Sequence, residues 1–270
     1  GQGSCDDADA GYYVDSTAAT SQTACLAGTY NPNTASTSSS DCTDADAGYY
    51  TSSAGSASQT ACAAGTYQPN TGQTSCTSAD AGYYVSITGS PYQTACAAGT
   101  YQPSMGQSSC LDASAGYYVP TTAATSQTAA DAGYYVPTTA ATSQTACAVG
   151  TYQSNTGQSS CLDASAGYYV ATTTATSQTA CSLGTYQPST GQTSCTDASA
   201  GYYVDSTAAT SQTACSAGTY QSSTGQSSCT DASAGYYVDS TAATSQTACA
   251  AGTYQPSTGQ TSCTDASAGY

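Results

Sequence analysis

The chain has no Lys, Arg or His, and no Phe or Trp, in 270 residues. It has no Glu either. All 16 acidic residues are Asp, and the formal net charge is −16. Each absence removes a class of function. With no cation to neutralise phosphates, no nucleic-acid partner is expected. No basic patch is present to meet an anionic lipid surface. No apolar run approaches the ~20 residues that span a bilayer, so no membrane insertion is expected within this segment. General acid–base and nucleophilic mechanisms draw on His, Glu, Lys or an activated Ser or Cys. Only Asp, Tyr and Cys remain here, and nothing activates the many serines. The chain reads as not an enzyme, with no catalytic residue and no cofactor.

Large core formers are nearly missing too. The 39% hydrophobic fraction is mostly Ala, Tyr and Cys, with four Leu, one Ile and one Met. Charged residues make up 6%, against about 25% in ordinary globular chains. Such a composition does not build a deep core. What is present instead is 25 Tyr and 15 Cys. Cysteine at that density, without core formers, belongs to an oxidising compartment, which places the chain outside the cell or on its surface. Zinc sites show close Cys pairs or His, and neither occurs.

The cysteines and tyrosines lie on a clock. The glycines of the G-Y-Y and G-T-Y motifs are Gly11, Gly28, Gly48, Gly65, Gly82, Gly99, Gly116, Gly133, Gly150, Gly167, Gly184, Gly201, Gly218, Gly235, Gly252 and Gly269. Every step is 17 residues except Gly28 to Gly48, which is 20. Residues 1–270 therefore read as one continuous repeat array, and both ends look like cuts through a longer one. Positions below are counted from the unit glycine. A first kind of unit reads G-Y-Y-V-D-S-T-A-A-T-S-Q-T-A, as at Gly201. A second reads G-T-Y-Q-P-S-T-G-Q-T-S-C, as at Gly252. They alternate with a period of 34, except that the units at Gly116 and Gly133 are both of the first kind.

The second kind reads as a hairpin. Pro256 suits the second position of a turn, and Gly259 can supply a positive φ. Its flanks are short β-formers rich in Thr and Tyr. The first kind lacks that turn signal and reads as a looser bend. The three extra residues of the long step are expected in the loop Asn31–Ser38. No 3.6-residue apolar stripe occurs. The expected fold is all-β and turn-rich, with essentially no helix: an elongated, disulfide-stapled tandem array of short hairpins.

The cysteines support one pairing scheme. Cys62–Cys76, Cys96–Cys110, Cys147–Cys161, Cys181–Cys195, Cys215–Cys229 and Cys249–Cys263 are each 14 apart, and Cys25–Cys42 is 17 apart. Each pair sits at −3 and +11 of a second-kind unit. The rival scheme pairs across the 20-residue gaps, as in Cys76 with Cys96. The doubled unit discriminates: its −3 and +11 positions are Ala130 and Gln144, so both cysteines vanish together and none is stranded. Cys5 is left over and is expected to pair upstream. A bridge of this loop size contributes about 3 kcal/mol, while ordering costs about 1.5 kcal/mol per residue. Units must therefore stack on neighbouring repeats or on other copies. The expected stacking ladder is the +2 tyrosine: Tyr13, Tyr30, Tyr50, Tyr67, Tyr84, Tyr101, Tyr118, Tyr135, Tyr152, Tyr169, Tyr186, Tyr203, Tyr220, Tyr237 and Tyr254.

The polar side chains suggest two decorations. Asp6, Asp7 and Asp9, with Asp44 and Asp46, are candidate oxygen ligands for calcium, against the plainer reading of turn capping and solubility. The same plain reading covers the single Asp at −4, as in Asp197. Ser and Thr saturate the chain and no Asn lies in a sequon, so O-linked glycans are the expected modification.

The run from Cys249-Ala-Ala-Gly-Thr-Tyr to Thr261-Ser262-Cys263 resembles the cysteine-rich repeats of ephrin-receptor-like and TNF-receptor-like extracellular regions. The resemblance extends, unit by unit, over nearly the whole chain. It implies a secreted or cell-surface ladder of disulfide-closed hairpins and no catalytic residues. This chain departs by carrying Ala198 and Ala232 where that pattern has a second Cys. Three functions follow as expectations: an extracellular structural fibre, filament or appendage; the stalk of an adhesin or receptor; and, on Thr abundance alone, an ice-binding protein.

Overall fold

The structure is a computed structural model that describes residues 5–267. Gly269, the last glycine on the clock, lies outside the described residues. The chain divides into two compact bodies. One comprises Gly1–Ala129 with Thr138–Ser143, and the other comprises Ala130–Pro137 with Gln144–Tyr270.

Each repeat folds into one two-stranded antiparallel hairpin, with positions +1 and +2 paired to +13 and +12. In the first body, Tyr12 and Tyr13 pair with Ala24 and Thr23, and Thr66 and Tyr67 pair with Ser78 and Thr77. In the second body, Tyr202 and Tyr203 pair with Ala214 and Thr213, and Thr219 and Tyr220 pair with Asp231 and Thr230. Among the described residues every sheet has two strands. The single helical turn is the 3-10 segment Ser39–Asp41. The expected helix-poor array of hairpins is thus what the chain adopts.

Two expectations are corrected here. First-kind units do not form a looser bend. They share the register of the second kind and the same reversal at +7. That residue is left-handed throughout. Gly holds φ between 69 and 75° in Gly55, Gly72, Gly89, Gly106, Gly157, Gly191, Gly225 and Gly259. Ala or Thr holds 54 to 59° in Ala18, Ala35, Ala123, Ala140, Thr174, Ala208 and Ala242. The left-handed region costs an ordinary residue about 1–2 kcal/mol, so something external must hold the alanines there. The other correction concerns the long step. The alanine at its tip, Ala35, keeps the +7 role, and the extra residues follow it as the turn Ser39–Asp41. Ser38 caps that turn, accepting from the Ser40 N–H, while the Asp41 carboxylate accepts from the Ser38 N–H at 3.1 Å.

What holds the +7 residue is the −3 carbonyl of the preceding unit. In the second body Ala208 N–H donates to the Cys181 carbonyl at 2.9 Å. In the first body Gly55 N–H donates to the Cys25 carbonyl, also at 2.9 Å. Successive units are joined by two more backbone bonds. Gly201 N–H donates to Gln221 O at 2.7 Å, and Val204 N–H donates to Gln226 O at 3.0 Å. From the sequence, contacts between neighbouring units alone are expected. Within each body, units bond to the next, and the unit glycine lies against the tip of the unit after that, which brings like kinds together except around the doubled unit.

The unit glycine faces both demands at once. Gly201 has φ +84°, and a Cβ there would run into the carbonyl oxygen of Ala242, the tip two units on. That obstacle is backbone and cannot swing away. The clock is therefore a packing constraint as well as a turn constraint.

The core is thin and built from small side chains. Position −3 is buried along nearly the whole array and alternates between Ala (Ala164, Ala198, Ala232) and Cys (Cys147, Cys181, Cys215). Position +3 is the other buried column. It holds Val in most first-kind units, as in Val119, Val170 and Val204, and Gln in most second-kind units, as in Gln68, Gln102 and Gln187. Burial of a valine contributes about 1.5–3 kcal/mol. The glutamines are satisfied locally: Gln187 Nε2 donates to Ser194 O at 2.9 Å, and its Oε1 accepts from the Ser189 N–H at 3.2 Å. No buried side-chain polar atom among the described residues lacks a partner. The larger apolar side chains Leu26, Ile87, Met105 and Leu183 are exposed.

Candidate functional site

The features that repeat with the array are the closures of its hairpins. In second-kind units the closure is covalent. Disulfides join Cys25–Cys42, Cys62–Cys76, Cys96–Cys110, Cys147–Cys161, Cys181–Cys195, Cys215–Cys229 and Cys249–Cys263, with Cα separations of 5.6 to 5.8 Å. The −3 sulfur lies in the buried column, except at Cys249 near the end of the array, and the +11 sulfur is half-buried beside the loop. Cys5 is exposed and forms no disulfide among the described residues.

First-kind units close the same gap without sulfur. The +11 residue is Gln, and its Oε1 accepts from the backbone N–H at −2. Gln212 accepts from Ser199 N–H at 2.6 Å and Gln178 from Ser165 N–H at 2.7 Å. Where −2 is Asp the bond becomes two-pronged. Gln22 Nε2 donates to Asp9 Oδ2 at 2.7 Å, Gln59 to Asp46 at 2.6 Å, Gln93 to Asp80 at 2.7 Å and Gln144 to Asp131 at 2.7 Å. The alternation of Ala and Gln with Cys and Cys at −3 and +11 was visible in the sequence. Its chemical meaning, an amide clasp in place of a staple, was not.

The acidic candidates are dispersed. Asp9 and Asp46 belong to clasps. The carboxylate of Asp44 packs against the tip glycine Gly72, two units on. Asp163, Asp197 and Asp231 repeat that placement under Gly191, Gly225 and Gly259, a role that turn capping did not capture. Asp6 and Asp7 line an open cleft with Cys5 and Gln22. Among the described residues no three metal-binding side chains come together.

The +2 tyrosines are half-buried along the array, up to the exposed Tyr254. Each lies across its hairpin from the +12 residue, as Tyr203 does from Thr213. The first-kind units add a second tyrosine at +1, which sequence reasoning passed over. The phenol of Tyr12 packs on Gly55, and that of Tyr49 on Gly89, each a tip two units on. Their signal was the bare Tyr-Tyr pair, which opens every first-kind unit. Gln187 and its equivalents were also missed as core residues because they are polar.

Residues 167–215 match the family described as tyrosine-protein kinase ephrin type A/B receptor-like. No curated protein matches the chain. The matched stretch contains one clasped hairpin from Gly167, the stapled hairpin of Cys181–Cys195, and the next clasped hairpin up to Cys215. Its Ala198 stands in the buried −3 column, where the resembling pattern carries a second Cys, and Gln212 supplies the substitute closure. Residues 167–215 are therefore similar to ephrin-receptor-like cysteine-rich repeats, and the same stapled and clasped hairpins recur through both bodies.

Proposed function

We propose that the protein is an extracellular structural component, a fibre, filament or appendage made of stacked repeats. The observation that carries this reading is that, within each body, hairpins bond to the next and pack their glycine against the tip of the next but one. That pattern uses the same backbone groups in either body, so any number of units extends it without a new design. The composition agrees. Without Lys or Arg there is no site for a trypsin-like protease, and staples resist unfolding. Exposed loop hydroxyls such as Ser206, Thr207 and Thr210 are the proposed carriers of O-linked glycan. Intact mass of the native material tests that proposal: a mass equal to the peptide alone would end it.

The family match favours a second reading, the stalk of a surface receptor or adhesin. Electron microscopy of native protein with intact disulfides separates the two. A fibre component gives filaments whose length distribution depends on concentration. Discrete particles of fixed length, released from cells only by detergent, would replace the fibre with the stalk. Ice growth in the presence of the protein tests the ice-binding reading in the same preparation.

A further inference from the structure

We infer that the array carries a repeated groove for a neutral polysaccharide, one groove at each step from a first-kind to a second-kind unit. The inference does not depend on whether the array is a fibre or a stalk. Tyr169, Thr179, Thr185, Ser194 and Cys195 line one such groove, of about 400 Å3. Tyr203, Thr213, Thr219, Ser228 and Cys229 line its counterpart 34 residues on, of about 470 Å3. In the other body Tyr13, Thr23, Thr29 and Cys42 line a third, of about 250 Å3. Each groove takes +2, +12 and +13 from the first-kind hairpin and +1 and +11 from the following second-kind hairpin.

The lining chemistry selects the ligand class. The groove offers one half-buried phenol ring and a rim of hydroxyls. Thr185 Oγ1 donates to the Ser182 carbonyl at 2.8 Å and keeps only acceptor capacity. The hydroxyls of Tyr169, Thr179 and Ser194 make no side-chain hydrogen bond among the described residues, so both donor and acceptor capacity remain. No carboxylate lines any of the three grooves, although the chain carries 16 Asp. The repeat itself keeps them out. Position +13 is Ala in first-kind units (Ala24, Ala180, Ala214) and Asp in most second-kind units (Asp44, Asp163, Asp197, Asp231). The alanine faces the groove. A cationic ligand finds no partner there, and an anionic polymer is repelled by the net charge of −16. A phenol ring bordered by unused hydroxyls suits a sugar ring, which presents an apolar face and equatorial hydroxyls. A volume of a few hundred Å3 is the size of a small-ligand site and far below a protein–protein interface. By the same sequence pattern the chain holds seven such steps, with groove threonines Thr23, Thr60, Thr94, Thr145, Thr179, Thr213 and Thr247. One groove binds weakly, and a polymer that threads several binds roughly a hundredfold or more tighter through effective concentration.

The test is native-gel affinity electrophoresis of the full chain in gels cast with hydroxyethylcellulose, mannan or polygalacturonate. Retardation is expected in at least one of the two neutral polymers and not in the acidic one. Substituting Asp for all seven exposed groove threonines, Thr179→Asp and its equivalents, should abolish it. Retention of all seven disulfides by non-reducing mass analysis shows that the variant is folded. A second set, Thr179→Val and its equivalents, keeps shape and charge and should weaken retardation at least tenfold in polymer concentration. Absence of retardation in both neutral gels overturns the inference. So does equal retardation of wild type and the folded Asp variant, or of wild type in the acidic gel. Loss of self-association in the Asp variant without any polymer effect would assign the groove to a second copy of the chain, which also overturns it.

Discussion

The hairpins at Gly201 and Gly218 are neighbours with the same backbone and different closures. Both pair +1 and +2 with +13 and +12. Both are left-handed at +7, in Ala208 and in Gly225, and both send that N–H to the −3 carbonyl of the preceding unit. One closes through the Gln212 amide and the other through Cys215–Cys229. One fills the +3 column with Val204 and the other with Gln221. The comparison separates what the fold requires from what reinforces it. It requires a glycine at the start of the unit and a bond from +11 back to the segment before that glycine, to −3 in a staple and to −2 in a clasp. Whether that bond is covalent, and whether +3 is apolar, can vary.

The largest disturbance should come from the shared requirement. Gly201→Ala places a methyl group against the Ala242 carbonyl and forces a positive φ on alanine. Adding overpacking to backbone strain gives a loss of roughly 2–5 kcal/mol. Hydrogen exchange should rise around 201–221 and at the tip near 242, two units away. An effect confined to the mutated unit would remove the next-but-one contact from the argument.

Covalent closure comes next. Cys215→Ser with Cys229→Ser should destabilise its unit by about 3 kcal/mol, read from the guanidinium midpoint of local hydrogen exchange. The reverse exchange tests whether the two closures occupy one site. Ala198→Cys with Gln212→Cys should form an eighth bridge and protect that hairpin by up to about 3 kcal/mol. Persistent free thiols in the double variant would show that clasp and staple differ in backbone geometry.

Smaller effects should follow from the clasp and the tip. Gln212→Ala removes the bond from Ser199 N–H and a long one to Ser199 Oγ and should cost about 1 kcal/mol, clearly less than the paired Cys substitution in the next unit. At +7 the two kinds should respond with opposite sign. Ala208→Gly should stabilise by roughly 1 kcal/mol and Gly225→Ala should destabilise by about as much, because both sites are left-handed. Thermal melting of the two variants checks the sign, and equal signs would mean that the tip alanine is not strained.

Much of the architecture was legible because it is periodic. The glycine clock, the Thr and Tyr strand pairs and the lack of a 3.6-residue apolar stripe pointed to hairpins in series. The tip at Ala208 was not legible, since alanine carries no local preference for a left-handed turn. Its conformation is imposed by Cys181 O, 27 residues earlier in the chain. Nor did hydrophobicity mark the core. Leu26, Ile87 and Met105 face outward while Ala198 and Gln187 are buried, because columns in such close backbone contact admit only small or locally satisfied side chains. The clasp was half legible: Gln stands wherever Cys is missing, but the N–H it engages belongs to a residue that varies between Asp and Ser.

The buried −3 sulfur has a consequence for the redox life of the protein. In thiol–disulfide exchange an external thiolate attacks one sulfur and expels the other as a thiolate. The half-buried sulfur of Cys195, at the edge of its groove, is the one within reach, so the expelled thiolate would be that of Cys181 in the closed interior. A thiolate is tolerated beside cations or helix N-termini and disfavoured in apolar surroundings. This chain has neither cations nor α-helices near that column. Reduction therefore waits for the hairpin to open, and a staple that began as a chain-entropy device becomes a lock whose key is unfolding itself.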